Sequence, residues 1–186
     1  MPLPKRAFWY LRHGETDWNA RGLSQGNVDI PLNPVGVAQA RQAAGSLRGC
    51  GLRAVVSSPL SRARVTAEIV AAPLGLPIAF DDDLREVSFG VQEGRPMGDW
   101  YDDWVAGRFT PEGAEPFAAL RARAGAALAR ALAHPEPVLV VAHGALFRAV
   151  RAEMGLPVDV RTPNAVPILC RPGAAPDEAW TLTAAA

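Results

Sequence analysis

The apolar run Pro137–Ala142 constrains the fold of this chain more than any other segment. After the proline it contains only valine, leucine and alanine, with no polar position. A strand of this composition is typical of the interior of a sheet that is covered on both faces. We therefore predict that residues 137–142 form a central strand.

Strand and helix patterns alternate along the rest of the chain. Asn33-Pro34 and Ser58-Pro59 each combine an N-cap residue with a proline at the first helical position. The alternation predicts an α/β protein, a three-layer α/β/α sandwich with a mostly parallel sheet, in a single domain over residues 1–186. Further strands are expected at Ala7–Leu11, Ala54–Val56, Val166–Cys170 and Trp180–Thr183, and helices at 34–47, 59–71, 117–133 and 145–154.

The stretch between residues 81 and 115 has the composition of a loop, with many glycine, proline and aspartate residues. Trp100 and Trp104 are four residues apart, so they share one face of a predicted short amphipathic helix. We expect Trp100, Tyr101 and Trp104 to pack inside the protein or within a lid over a substrate.

The charge balance argues against two classes of partner. Lys plus Arg and Asp plus Glu both number 19, and nucleic acids and membrane surfaces are bound through a basic excess, so we expect neither. No apolar stretch approaches the ~20 residues of a membrane span, and a cytoplasmic protein is expected. Cys50 and Cys170 provide neither a disulfide framework nor a metal-ligand spacing.

Two of the predicted strands end in the same kind of sequence. One continues into Arg12-His13-Gly14 and the other into His143-Gly144. Ligands of open α/β sheets bind beyond the carboxyl ends of the strands, so both histidines are expected to face one crevice. The glycines permit tight turns and close approach of a ligand to the backbone, which includes Gly144 among the candidate binding residues.

The charged residues near these strand ends indicate a phosphate site. Arg12 carries a planar fork of N–H donors that suits phosphate oxygens. The helix predicted after Ser58 brings backbone N–H groups and a positive dipole end to a third strand terminus. Arg62 lies in the first turn of that helix, where its side chain can reach the same anion.

A histidine in such a site can act as the nucleophile. Neutral imidazole attacks phosphorus to give a phosphohistidine that water later hydrolyses. The leaving oxygen needs a proton, and Glu86 is the best candidate acid, whereas Asp81–Asp83 and His134 are expected to face solvent. His13 must be neutral to attack, and a charged His143 would favour the phosphate dianion, so these opposite demands predict a bell-shaped pH profile.

Four blocks of the sequence resemble the histidine phosphatase superfamily, in the branch that includes the cofactor-dependent phosphoglycerate mutases. In chain order they read LRHGETDWN, SSPLSRARVTAE, LREVSFGVQEG and VVAHGALFRAV. The resemblance extends from about Tyr10 to Asn164 in family order. It implies a phosphoglycerate mutase-like fold with a six-stranded sheet and no requirement for a metal or another cofactor.

The resemblance also implies roles for individual residues. Arg12 and Arg62 stand at the positions of phosphate-binding arginines, and His13 stands at the position of the nucleophile. Glu86 falls where the family keeps its proton donor, and His143 matches the second histidine of the pocket.

Two further features of the resemblance concern binding and the type of reaction. Asn19 matches an asparagine that contacts the phosphate or orders the loop around it. The segment RGLSQGNVDIPLNPVGVAQA is similar to the version found in phosphatases of the family and puts Gln25 and Gly26 near the pocket mouth. Mutases carry a longer insertion with adjacent basic residues, and between Glu86 and His143 this chain has no such pair.

We therefore expect a metal-independent phosphomonoesterase that acts on a small phosphorylated metabolite through a phosphohistidine. A cofactor-dependent phosphoglycerate mutase and a catalytically idle module that binds a phospho-ligand or a protein are the alternatives. Sugar phosphates, phosphoglycerates, α-ribazole phosphate and phosphoproteins are all open as substrates. The sequence also leaves the oligomeric state open, a homodimer included.

Overall fold

Six strands form one sheet in the computed structural model, which describes residues 3–175 and 178–185. The strands are β1 (Phe8–Arg12), β2 (Ala54–Ser57), β3 (Ile78–Phe80), β4 (Val138–Ala142), β5 (Ile168–Arg171) and β6 (Thr181–Ala184). Their order across the sheet is β3-β2-β4-β1-β5-β6. All five residues of β4 are buried, and the strand lies in the interior of the sheet, which confirms the prediction from its apolar run.

Helices cover both faces of this sheet. They are α1 (Asp17–Ala20), α2 (Pro34–Ser46), α3 (Ser61–Ala71), α4 (Trp100–Val105), α5 (Phe117–Ala131) and α6 (Gly144–Glu153). Short 3-10 turns occur at Ala72–Leu74, Asp82–Leu84 and Gly90–Gln92. Within the part of the chain that the structure describes, no helix is both long and apolar enough to cross a bilayer.

The strand directions determine where a ligand can bind. β1, β2, β3 and β4 run parallel to one another, β5 pairs antiparallel with β1, and β6 pairs antiparallel with β5. In the register of the sheet, Arg12 lies opposite Ala142 and Ser57 lies opposite Val141. The carboxyl ends of three neighbouring strands therefore meet at one edge, as expected for the crevice of an open α/β sheet.

Two hydrophobic cores hold the three layers together. One packs side chains such as Tyr10 and Val140 against helices α4, α5 and α6. The other packs Leu11 and Val141 against α2 and α3. Because neighbouring residues of a strand point to opposite faces, a few consecutive apolar positions fill both cores. The three-layer arrangement predicted from the sequence is thus confirmed.

Two details differ from the sequence-based expectation. Ser58 does not cap α3, because the helix begins at Ser61, whose N–H donates to the Asp29 carboxylate at 2.8 Å. Strand β3 and helix α1 were not expected, since three and four residues are too few to produce a periodic apolar pattern.

The turn after β1 packs closely against the start of α2. A Cβ atom on Gly14 would overlap the Gly36 carbonyl group, and a Cβ atom on Gly36 would overlap the Glu15 backbone. The expectation that a ligand approaches Gly14 is therefore wrong, because the helix occupies that space. Asn33 caps this helix as predicted, by accepting a hydrogen bond from the Gly36 N–H at 2.8 Å.

We predict opposite effects of alanine at two glycines of α2. Gly36→Ala should lower the free energy of unfolding by ~1–3 kcal/mol, because the added methyl group forces the β1 turn and the helix apart. Gly45→Ala is the matched control: nothing lies near its Cβ position, so alanine should raise the stability by ~0.5–1 kcal/mol. Urea denaturation followed by circular dichroism measures both, and equal changes at the two sites would contradict the close packing.

Candidate active site

A cavity of about 310 Å³ lies where strands β1 and β4 end. Eight of the nine site residues predicted from the sequence line it: Arg12, His13, Asn19, Gln25, Gly26, Arg62, Glu86 and Gly144. The ninth, His143, is fully buried with its ring centre 5.3 Å from that of His13. The fold therefore gathers residues from well-separated segments of the chain into one place.

His13 is held by backbone interactions on both sides. Its N–H donates to the Ala142 carbonyl at 3.0 Å, and its ring Nδ1 lies 2.7 Å from the Gly14 carbonyl oxygen. A carbonyl oxygen only accepts, so Nδ1 carries the proton and the lone pair of the neutral ring is on Nε2. The ring lines the cavity, and this tautomer leaves it with a nucleophilic nitrogen.

Two arginines are anchored by main-chain carbonyl groups. Arg12 donates from Nη1 to the Thr162 carbonyl at 2.7 Å. Arg62 donates from Nη1 to Val28 at 2.8 Å and from Nη2 to Gly26 at 2.7 Å. The Nε atom of each arginine is buried and has no hydrogen-bond partner among the residues that the structure describes. Each guanidinium is therefore fixed in position, and both arginines line the cavity.

His143 directly follows β4 and is buried next to the ring of His13. Its Nε2 is 2.8 Å from the Ser58 hydroxyl oxygen, and its Nδ1 is buried without a hydrogen-bond partner among the described residues. The Tyr10 hydroxyl donates to the His143 carbonyl at 2.8 Å and accepts from the His143 N–H at 3.2 Å. Strand β1 thus fixes the backbone at the end of β4.

Burial and positive charge keep both histidines neutral in the free protein. The pKa of His13 lies well below its ordinary 6.5, because burial disfavours the charged ring and because Arg62 and Arg12 repel it. Burial also lowers the pKa of His143 well below the ordinary value, and the same arginines and His13 add to the effect. The neutral His13 that the attack requires is therefore present in the free protein, and His143 is uncharged there as well.

The positive charge in the cavity resides on the arginines. Burial lowers the pKa of Arg62 to about 10, and the guanidinium remains charged at neutral pH. Burial also lowers the pKa of Arg12, with the nearby Glu86 carboxylate acting in the opposite direction. An anion that enters the cavity next to His13 therefore meets two fixed cations and the neutral imidazole of that residue.

Glu86 is held at the N-terminus of α6. Its Oε2 accepts from the Ala145 N–H at 2.9 Å, and its Oε1 accepts from the N–H groups of Leu146 at 2.9 Å and Val87 at 3.1 Å. These three N–H groups fix the position of the Glu86 side chain at the start of the helix. The side chain is buried and lines the same cavity as His13.

Amide side chains hold the loops around the cavity. Gln25 accepts a hydrogen bond from the Thr16 hydroxyl at 2.8 Å, and Asn19 accepts one from the Thr16 N–H at 3.2 Å. Asn164 donates to the His13 carbonyl at 2.9 Å and to the Asn19 side chain at 3.2 Å. Sequence reasoning gave Asn164 no role, because its position just before β5 carries no local signal.

The outer part of the cavity contains residues that the sequence did not indicate as binding residues. Phe89, Met97 and Tyr101 give it an apolar wall, and Arg148 and Arg161 bring two further positive charges. Tyr101 belongs to the short helix expected around Trp100, and Trp104 of the same helix is fully buried in the core. The helix therefore contributes Trp104 to the hydrophobic core and Tyr101 to the wall of the cavity.

The remaining candidate residues lie elsewhere. The turn at Asp81–Asp83 is tied to α5 by Arg130, which contacts Asp81 at 2.8 Å and Asp83 at 2.7 Å. His134 is half-buried in the turn that follows α5, rather than exposed as expected. Across residues 3–175 and 178–185, no group of three or more His, Cys, Asp or Glu side chains is placed to hold a metal ion.

Comparison with known proteins gives a consistent result. The family model of the histidine phosphatase superfamily (branch 1) matches residues 8–165. The "Uncharacterized phosphatase PhoE" of Bacillus subtilis is 39% identical over 149 residues, which cover 77% of this chain and 75% of that protein. The "Probable phosphoglycerate mutase GpmB" of Escherichia coli is 40% identical over 163 residues, which cover 80% and 75%.

Solved structures share the same fold. A mycobacterial glucosyl-3-phosphoglycerate phosphatase in complex with VO3 has a TM-score of 0.79 and 30% identity, over 96% of this chain and 98% of that one. A putative alpha-ribazole-5'-P phosphatase from Escherichia coli has a TM-score of 0.80 and 27% identity, over 98% and 96%. The family match and the shared fold show that this chain belongs to branch 1 of the histidine phosphatase superfamily.

Proposed function

We propose that this chain is a metal-independent phosphomonoesterase that releases phosphate from a small phosphorylated metabolite. One observation carries the proposal: the neutral ring of His13, with its lone pair on Nε2, shares a cavity with Arg12 and Arg62, whose guanidinium groups are fixed by main-chain carbonyls. A phosphate monoester fits this arrangement, since its oxygens can accept from the arginines while its phosphorus meets the imidazole. The relatives named as phosphatases support the same reaction class.

The first step forms the phosphohistidine. The Nε2 lone pair of His13 attacks phosphorus, and the bond between phosphorus and the leaving oxygen breaks. Arg12 and Arg62 neutralise the charge on the phosphoryl oxygens, which is the main demand of phosphoryl transfer. The proton on Nδ1 stays in its hydrogen bond to Gly14, which stabilises the positive ring that forms.

Glu86 is the proposed proton donor for the leaving oxygen. Its side chain lines the same cavity as His13, and a carboxyl group there can supply the proton that the leaving oxygen needs. After the leaving alcohol departs with this proton, the Glu86 carboxylate takes one from water as the water oxygen attacks the phosphohistidine. The N–P bond then breaks, its electrons return to Nε2 of His13, and inorganic phosphate leaves.

A phosphoglycerate mutase is the second candidate function. Relatives named as probable mutases match this chain at 40% identity, so the phosphohistidine could pass its phosphoryl group to a second hydroxyl instead of water. Against this, no two adjacent basic residues lie between Glu86 and His143 to retain a phosphoglycerate intermediate. Isomerisation of 3-phosphoglycerate in the presence of 2,3-bisphosphoglycerate separates the two functions.

We predict that His13→Ala loses phosphatase activity by a factor on the order of 10³ or more, because the nucleophile is removed. The measurement is phosphate release from an aryl phosphate in the presence of a chelator. His134→Ala is the matched control and should keep wild-type activity, since His134 is not among the residues that line the cavity. Equal activity of wild type and His13→Ala would refute the mechanism, and binding without turnover in wild type would favour an idle binding module.

We predict that Glu86→Gln slows substrates according to their leaving group. Glutamine cannot supply a proton, so hydrolysis of an alkyl phosphate should fall by about 10²–10⁴-fold. p-Nitrophenyl phosphate needs little help from an acid, and its hydrolysis should fall by less than ~10-fold. A uniform loss for both substrates would show that the side chain acts through structure rather than as a proton donor.

We predict that neither His13 nor His143 gains a proton near pH 6.5, because burial and the two arginines lower both pKa values. The unfolded chain does gain these protons, so the free energy of unfolding should decrease as the pH falls below about 6.5, by up to ~1.4 kcal/mol per pH unit for each histidine. Histidine ring signals in NMR spectra from pH 8 to 5 report the protonation directly. Ordinary titration of either ring would contradict the prediction.

A further inference from the structure

More positive charge lines the cavity than a phosphate group requires. Four arginines face it, Arg12, Arg62, Arg148 and Arg161, and Glu86 is the acidic residue among them. Across residues 3–175 and 178–185, none of these four arginines has a carboxylate within ion-pair distance, whereas seven arginines elsewhere do. An anionic ligand is the natural partner for this unneutralised charge.

The four arginines fall into two sets along the cavity. Arg12 and Arg62 lie beside His13 and are anchored by main-chain carbonyl groups. Arg148 lies in α6, one turn beyond the helix end that holds Glu86, and Arg161 lies in the segment that leads to β5. The two positive charges of the first set already balance a dianionic phosphate group, so the second set needs a different anionic partner.

Arg148 is oriented by its surroundings. Its Nη1 donates to the Val158 carbonyl at 2.6 Å, and its guanidinium lies 5.0 Å from the ring centre of Tyr101. A guanidinium fixed in this way loses little freedom when it binds a second oxygen acceptor. It forms a wall of the cavity together with Tyr101.

Arg161 is exposed and adjoins the phosphate end of the cavity. Its neighbour Thr162 supplies the carbonyl that accepts from Arg12. Arg161 is close enough to Arg12 to contribute to the lowered pKa of that arginine, an effect of like charge. An anion placed between them would relieve this repulsion.

We propose that Arg148 and Arg161 form a second anion subsite, so that the preferred substrate is a small phosphomonoester whose leaving group carries another anionic group. This inference rests on the proposed phosphatase function and specifies its substrate class. The subsite accepts a carboxylate or a second phosphate, since both present oxygens to a guanidinium fork. Phe89 and Met97 provide the apolar surface against which the carbon chain between the two anions would lie.

The test compares 3-phosphoglycerate with glycerol 3-phosphate, which has a hydroxymethyl group in place of the carboxylate. Phosphorus NMR follows both substrates and distinguishes hydrolysis from isomerisation. The wild-type protein should prefer 3-phosphoglycerate in kcat/KM by roughly tenfold or more. A second pair, propane-1,3-diol bisphosphate and its monophosphate, tests a phosphate in the same subsite, and a preference in either pair supports the proposal.

Arg161→Gln should lower kcat/KM for the doubly anionic substrate by roughly tenfold and change that for glycerol 3-phosphate by less than about twofold. Arg41→Gln removes an exposed arginine of α2 and is the matched control for net charge, with no expected effect on the preference. Arg148→Gln should also reduce the preference in kcat/KM for the doubly anionic substrate. A wild-type protein without preference in either substrate pair, or variants that slow both substrates equally, would overturn the subsite.

Binding to the His13→Ala variant tests the subsite independently of turnover. Calorimetry should show that 3-phosphoglycerate or the bisphosphate binds roughly tenfold more tightly than its singly anionic counterpart, and that Arg161→Gln in the same background removes the difference. Equal binding within both pairs would overturn the subsite. If the wild-type protein turns over none of the substrates, the proposed function fails while this comparison still decides the subsite.

Discussion

The parallel pairing of β1 with β4 is the constraint on which the rest of the site depends. It places Arg12 opposite Ala142 and continues through the hydrogen bond from the His13 N–H to the Ala142 carbonyl. The two chain segments that leave this pair begin with the two histidines, so the rings lie side by side without any direct bond between them. Tyr10 strengthens the arrangement, because its hydroxyl bonds both backbone groups of His143.

The site combines buried cations with neutral histidines, and this combination is energetically demanding. A buried N–H without a partner costs ~1–3 kcal/mol, and Arg12 and Arg62 each have such a group, counting partners among the described residues. Carbonyl groups of surrounding loops anchor the same side chains, while two well-packed cores hold those loops in place. The folded chain thus holds two buried cations in fixed positions before any anion binds.

The fold and most of the residues around the cavity could be predicted from the sequence, because both follow from strong local patterns. The apolar run of β4 and the residues that follow two strands are visible without a structure. Contacts between distant segments are not visible in this way. Asp29 accepts the hydrogen bond at the start of α3 that was expected of Ser58. Asn164 donates hydrogen bonds to His13 and to Asn19, which are far away in the sequence. The neutral state of His143 could not be predicted for the same reason, since it depends on burial and on arginines far away in the sequence.

Two neighbouring residues before β5, Arg161 and Thr162, contribute to the cavity in different ways. Thr162 holds Arg12 through its main-chain carbonyl, which is present whatever side chain the residue carries. Its neighbour Arg161 is exposed at the cavity mouth. Substitution of Arg161 can therefore change the charge at the cavity mouth while the carbonyl group that anchors Arg12 stays in place.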